Sequence, residues 1–310
     1  MGLSREQNFY LKLQQLAGQK PGQIGIGDDA AFIPLRDFPS NGIIVAKDVL
    51  VEDVHFSLKY CSLPEIARKL VAVNVSDLFV KGGTPRFAFS AFSAPRDFFQ
   101  QNGGQEIFMT ALLHELGKYN IELMGGDTTS AAKLYLSLTL FGTIDNFIPR
   151  STDLSRGDKI WQLGKVGASN YALRQLLENK QISDEVRQKY ACPTPALQGP
   201  LLQGKASIDQ SDSVYETLSV LAAKNNVQLE IDLNKFQIHD EVKFPDLEFS
   251  QFVLSAAEDL AVFVITAPSE KIEKAVCIGI VADVDCEPLL CNNGREIPVP
   301  SELFDHYEFT

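Results

Sequence analysis

The sequence is short of the residues from which covalent and metal-centred frameworks are built. Its 310 residues include five cysteines, four histidines and one tryptophan. The cysteines, Cys61, Cys192, Cys277, Cys286 and Cys291, are odd in number and contain no C-x-x-C pair. This argues against a disulfide scaffold or a zinc site and for buried or incidental thiols. Long apolar runs are also missing, so no segment reads as a bilayer span. The first residues, Met1-Gly2-Leu3-Ser4-Arg5, lack the charged-then-apolar pattern of a signal peptide, and a cytoplasmic protein is expected. Basic residues are in deficit, 28 Lys and Arg against 40 Asp and Glu. Such a surface repels nucleic acid, so a phosphate-bearing ligand has to be small and to bring metal ions with it. The expected partners are therefore small molecules, with no nucleic acid and no membrane. Neither a G-x-x-x-x-G-K-S/T loop nor the protein-kinase motif set is present.

What the chain does have is a recurring aspartate at the end of apolar segments. Gly25-Ile26-Gly27-Asp28-Asp29-Ala30-Ala31 leads two glycines into adjacent carboxylates. Neighbouring aspartates repel one another, and the pair makes sense around a cation. Asp48 follows Ile43-Ile44-Val45-Ala46-Lys47, Asp77 ends Asn74-Val75-Ser76, Asp127 follows Gly125-Gly126, and Asp212 follows Ile208-Asp209-Gln210-Ser211. Carboxylates of this kind suit magnesium, which takes hard oxygen ligands together with substrate phosphates. Gly25-x-Gly27-x-x-Ala30 imitates a dinucleotide fingerprint. That motif needs a strand before it and a helix after it, whereas here Lys20-Pro21-Gly22 precedes and Phe32-Ile33-Pro34 follows.

The length fits two domains. A helix is expected over 4–17 and a strand at 43–46. Ser62-x-x-Glu65 is a capping box that starts a helix near Leu63, with Ile66, Leu70, Val73 and Asp77 on one face. Gly82–Pro85 reads as a turn, Phe87–Phe92 as a strand, 106–118 as a helix, and Gly125–Thr129 as the loop leaving a strand at 121–124. Leu134, Leu136, Leu138 and Leu140 alternate as a half-buried strand. Composition changes over 146–158, placing domains at 1–148 and 149–310. Beyond it, strands are expected at 159–163, 262–266 and 275–281, and Asp212 reads as the N-cap of a helix carrying Val214, Leu218 and Leu221. The alternation of strands and helices in both halves gives a mixed α/β protein of two domains.

At these residues the chain resembles the thiamine-monophosphate kinase family, in the superfamily of aminoimidazole ribonucleotide synthetase and selenophosphate synthetase. The matching runs are Gly27–Ala31, Asp48–Phe56, Ala72–Leu78, Gly125–Thr129, Arg156-Gly157-Asp158, Ser211-Asp212, Glu258-Asp259 and Phe304-Asp305-His306-Tyr307. The resemblance implies an N-terminal mixed-sheet domain (1–148) that binds ATP and magnesium and pairs in a homodimer. It implies a C-terminal α/β domain (149–310) that completes the substrate site. By the same resemblance, Asp29, Asp48, Asp77, Asp127 and Asp212 are magnesium ligands, and Asp29, Asp77, Asp127 and Asp212 carry the catalysis. Gly126, Asp127, Arg150 and Ser213 contact ATP, while His55, Glu258 and Phe304 contact thiamine monophosphate. The implied reaction is ATP-dependent, in-line phosphorylation of thiamine monophosphate to thiamine diphosphate.

Several positions depart from the family pattern. Ser-Thr before the second aspartate is Ala46-Lys47, the arginine of the proline-rich connector is absent from Cys192–Ala196, and Gly-Gly-Glu-Asp-Tyr is Ala256-Ala257-Glu258-Asp259-Leu260. Ser-Asp-Gly is Ser211-Asp212-Ser213, and a later aspartate is Thr217. The alanines are expected to resist a positive φ, Leu260 to remove a stacking surface, and Lys47 to place a cation beside the metal cluster. Residue by residue, other roles stay open: a cap for Asp212, packing for His55, a solvated pair for Glu258 and Asp259. A related ATP-using enzyme and a catalytically degenerate dimeric binding protein remain as alternatives.

Overall fold

The computed structural model describes residues 13, 15–18, 42–100, 103–148, 152–242 and 249–300. The chain divides into two units, Met1–Leu78 with Gly83–Asp145, and Phe79–Gly82 with Asn146–Thr310. The helix expected over 4–17 and the Gly25–Ala31 loop lie largely or wholly outside the described residues. Among the described residues no helix is long and apolar enough to cross a membrane.

The first unit contains strands β1 (Ile43–Val51), β2 (Gly83–Ala94), β3 (Glu122–Ser130) and β4 (Tyr135–Ile144). They form one sheet in the order β1-β4-β2-β3, with the β2–β3 pair parallel and the other pairs antiparallel. The alternation read from the sequence holds on β4, where Leu136, Leu138 and Leu140 are buried. The other face carries Ile43, Val45, Val49 and Tyr135, all more than two-fifths exposed.

Helix α1 (Leu63–Val80) starts at its capping box: the Ser62 N–H and hydroxyl both donate to Glu65 Oε2 at 2.8 Å. Ile66, Ala67, Leu70, Val71, Val75 and Leu78 are all buried, so apolar residues surround most of the helix, as in a core helix. Val73 and Asp77, four residues apart, are only half-buried and mark its less covered side. Helices α2 (Arg96–Gln100) and α3 (Gly104–Lys118) follow β2.

Two expectations change here. Gly83 already belongs to β2, so the turn is confined to Lys81-Gly82, and a register shift between Pro85 and Phe87 accommodates the proline. Gly125–Thr129 is not a loop but the continuation of β3, with Ser90 opposite Gly126 and Ala91 opposite Asp127. Pairing with β2 overrides the turn preference of Gly-Gly-Asp, and a Cβ on Gly126 would stand 1.9 Å from the Ser90 carbonyl oxygen.

The second unit holds a sheet of seven strands: β5 (Lys159–Leu163), β6 (Ala206–Asp209), β7 (Val227–Ile231), β8 (Val262–Thr266), β9 (Val276–Val284), β10 (Leu289–Asn292) and β11 (Arg295–Glu296). Its order is β11-β10-β7-β9-β5-β8-β6. All of β8 is buried, which explains its unbroken apolar sequence. Helices α4 (Ala168–Leu177), α5 (Asp184–Ala191), α6 (Val214–Asn225) and α7 (Phe249–Ser255) complete the unit. Leu218 and Leu221 of α6 pack with Ile208, Leu229, Phe263 and Ile278 of the sheet in one core cluster. Asp158 is fully buried and ion-paired with Lys205 at 2.7 Å, so this carboxylate serves the fold.

Candidate active site

The site residues fall into separate groups, each set by its own element. Asp48 shares a row across the sheet with Leu138, Ser90 and Gly126. Its neighbours on the same face of β1 are Ala46 and Leu50, and Leu50 is 3 % exposed, so Asp48 lies on the covered face. Its backbone N–H donates to Asn74 Oδ1 at 3.1 Å, and Asn74 Nδ2 donates to the Leu70 carbonyl within α1. Asn74 therefore fixes α1 against the edge strand at Asp48. Asp77 lies three residues beyond Asn74 and so neighbours it on the helix surface. The sequence marked Asp48 and Asp77 as ligands, and the structure brings their elements together through a residue the sequence reading left without a role.

Asp127 is placed differently. It stands opposite Ala91, which pairs with Ser137, and Ser137 pairs with Val49, so this row belongs to the exposed face of the sheet. β3 is also three strands from β1, roughly 14 Å at the usual strand spacing. Asp127 is exposed, and one of its carboxylate oxygens accepts the Thr128 N–H at 2.8 Å. Among the described residues no group of three or more His, Cys, Asp or Glu gathers as a metal cluster. Asp29, Arg150 and Phe304 lie outside the described residues.

Lys47 does not stand beside Asp48. Successive side chains of a strand point to opposite faces, and Lys47 lies with Val45 and Val49 on the exposed face, opposite Thr139. Its ammonium is directed away from the Asp48 side of the sheet.

His55 sits in a tight turn after β1, with Asp53 at φ 63°. Its Nδ1 accepts the Val51 N–H at 3.0 Å, which leaves the proton of the neutral ring on Nε2. Its backbone carbonyl accepts from Lys69 Nζ at 2.7 Å, and Lys69 is fully buried in α1. The ring is thus held at Nδ1.

In the second unit Asp212 is exposed and is not the N-cap of α6. The cap is Ser213: its hydroxyl accepts the Glu216 N–H at 3.1 Å, while Glu216 Oε2 accepts from the Ser213 N–H and hydroxyl. The capping box won because serine at N-cap with glutamate at N3 satisfies two terminal N–H groups together. The Ser213 hydroxyl, read as an ATP contact, is committed to this box. Thr217, the position of the family's further aspartate, is buried.

The turn 256–260 also differs from expectation. The left-handed residues are Glu258 at φ 58° and Leu260 at φ 53°; Ala256 and Ala257 keep negative φ, so alanine is not strained there. Leu260 is fully buried and packs in the core rather than facing a ligand. Asp259 is half-buried, with its carboxylate turned onto the backbone of α4 rather than out to solvent. Its carboxylate accepts the Gly167 N–H at 2.7 Å and the Ser169 N–H at 2.9 Å at the N-terminus of α4. Desolvation by burial pushes its pKa up to about 7, partly offset by those backbone donors, with nearby Glu258 raising it further. No local signal marks this cap, because the helix it serves lies some ninety residues earlier in the chain.

Comparison with known proteins follows the same pattern. A family model described as AIR synthase related protein, N-terminal domain, matches residues 27–144. The chain is 30% identical to a thiamine-monophosphate kinase of Haemophilus influenzae over 95% of each sequence. It is 32% identical to a thiamine-monophosphate kinase of Bacillus subtilis, across 76% of this chain and 75% of the relative. Among solved structures, AaThiL complexed with AMPPCP and TMP superposes with a TM-score of 0.73 at 23% identity and covers 96% of each chain.

Proposed function

Because the chain belongs to the thiamine-monophosphate kinase family, we propose that it transfers the γ-phosphoryl group of ATP to thiamine monophosphate, giving thiamine diphosphate and ADP. A phosphate oxygen of the acceptor forms the new bond to the γ-phosphorus, and the bond from that phosphorus to the β,γ-bridging oxygen breaks in line with it. The electron pair leaves on ADP. The acceptor phosphate has a second pKa of about 6 and is largely anionic at neutral pH, so no strong general base is required. The residues assigned to the reaction are rich in aspartate and include one histidine, which agrees with that chemistry.

The observation that carries this reading is the Asn74 tie between Asp48 and α1, which sets two half-buried aspartates, Asp48 and Asp77, on adjoining elements. Their donors are hard carboxylate oxygens, which fit magnesium. Asp48 and Asp77 are assigned to one ion, and Asp29, Asp127 and Asp212 to ions carried with ATP. Magnesium, when bound, neutralises charge developing on the phosphates. Gly126 and Arg150 are assigned to ATP. His55, Glu258 and Phe304 are assigned to the acceptor, with Glu258 offering a carboxylate to its cationic ring and Phe304 an aromatic face. The structural neighbour AaThiL holds AMPPCP and TMP, which supports the same pair of substrates here.

The exposed apolar row Ile43, Val45, Val49 and Tyr135 favours a second copy of this chain as the covering partner, giving a homodimer through the first unit. The activity is tested by incubating the protein with ATP, magnesium and thiamine monophosphate and separating the products by chromatography. Thiamine diphosphate formed in step with ADP is expected. ADP without thiamine diphosphate contradicts the acceptor, and neither product contradicts the enzyme.

A further inference from the structure

Gln210 directly follows β6 and is fully buried. A buried primary amide is costly unless its donors and acceptor are used. Here they are used, and on two different segments. Nε2 donates to the Asp212 carbonyl at 2.9 Å and to the Ala256 carbonyl at 2.8 Å. Oε1 accepts the Asp259 N–H at 3.1 Å. The backbone adds to the same junction: the Gln210 N–H donates to the Ala261 carbonyl, the Leu260 N–H to the Gln210 carbonyl, and the Glu258 N–H to the Ser211 carbonyl at 3.0 Å.

These bonds join the segment of Asp212 to the turn of Glu258. That turn holds two non-glycine residues in the left-handed region, Glu258 and Leu260, a conformation that persists only when its surroundings enforce it. We propose that Gln210 is a positioning residue for the reaction: it holds the turn so that Glu258 meets the acceptor substrate, and it fixes that turn relative to Asp212. The role rests on the function proposed above. An apolar side chain would fill the volume but leave the Asp212 and Ala256 carbonyls and the Asp259 N–H without this partner, so the amide is what ties the two segments together.

The test is Gln210→Met, an unbranched side chain of similar length that makes none of the three bonds. The KM for thiamine monophosphate is expected to rise about tenfold while kcat stays within about twofold, the scale of one net hydrogen bond. Hydrogen exchange at the Glu258, Asp259 and Leu260 amides is expected to accelerate by about tenfold, on the same scale, with exchange in β8 unchanged. Gln210→Asn keeps the amide one methylene shorter, so that it cannot reach all three partners at once, and should fall between wild type and Gln210→Met. It also serves if Gln210→Met does not fold. An unchanged KM in a variant with faster exchange overturns the functional role. Unchanged exchange overturns the tie itself. Loss of kcat and thermal stability together with no separate rise in KM reduces Gln210 to a structural residue. A wild type that makes no thiamine diphosphate removes the proposed function and this role with it, while the exchange result still decides whether Gln210 holds the turn.

Discussion

Asp259→Asn isolates a stability effect that can be worked out from the structure. Asp259 is half-buried, its carboxyl caps α4, and desolvation there raises its pKa to about 7. In the unfolded chain it returns to the ordinary aspartate value of about 3.9. The native state therefore binds this proton more tightly than the unfolded state between those two values. The contribution to stability is greatest below the unfolded pKa, falls as pH rises towards about 7, and is level above it. The whole shift corresponds to about 4 kcal/mol, of which about 2–3 kcal/mol falls between pH 5 and 8. Asparagine removes the titration. It keeps one acceptor oxygen but turns an NH2 towards an N–H donor of α4, a loss of about 1–3 kcal/mol. Asp259→Asn should thus be less stable than wild type at pH 5, and the gap should narrow or reverse by pH 8. The assay is urea unfolding across that range, followed by the fluorescence of Trp161, the only tryptophan in the chain, which lies in the same unit as Asp259. Curves of stability against pH that run parallel for the two proteins would refute the reasoning.

Gly126→Ala should destabilise the first unit by about 3 kcal/mol or more, because its Cβ would meet the Ser90 carbonyl oxygen at 1.9 Å and backbone cannot step aside; thermal unfolding measures this, and a near-neutral change would contradict the close approach. Val45→Asp places a charge on the exposed face of β1 and should turn a dimer into monomers in light scattering at micromolar concentration, whereas a monomeric wild type would remove the proposed interface.

The parts of the fold that were legible in the sequence are those with local signals. The Ser62–Glu65 box started α1 where expected, and the leucine alternation marked β4. Strand alternation alone separates Lys47 from Asp48. Ser213-x-x-Glu216 is itself a capping box, a local signal that outweighs Asp212 as the N-cap. Other features depend on distant pairing. Gly125–Thr129 reads as a loop until β2 lies alongside, and the short β6, β7 and α5 carry too few residues for periodicity to show. Asn74, Lys69, Gln210 and Asp259 have roles set by partners outside their own segments, Asp48, His55, the 256–259 turn and α4 in turn. Residue type alone marked the aspartates, and geometry was needed to show which of them adjoin.

The central claim is tested most directly by following the γ-phosphate itself. ATP labelled at the γ-position is mixed with magnesium, thiamine monophosphate and either the wild type or Asp77→Asn, and label in thiamine diphosphate is counted. Asn keeps the shape of Asp77 and removes the charge that offsets magnesium, and far-UV circular dichroism should show the variant folded. The account predicts label in thiamine diphosphate for the wild type only with magnesium present, and about a hundredfold less for Asp77→Asn, the scale at which loss of one charge-stabilising group is felt. Equal labelling by the two proteins, or wild-type label found only in free phosphate, would contradict it.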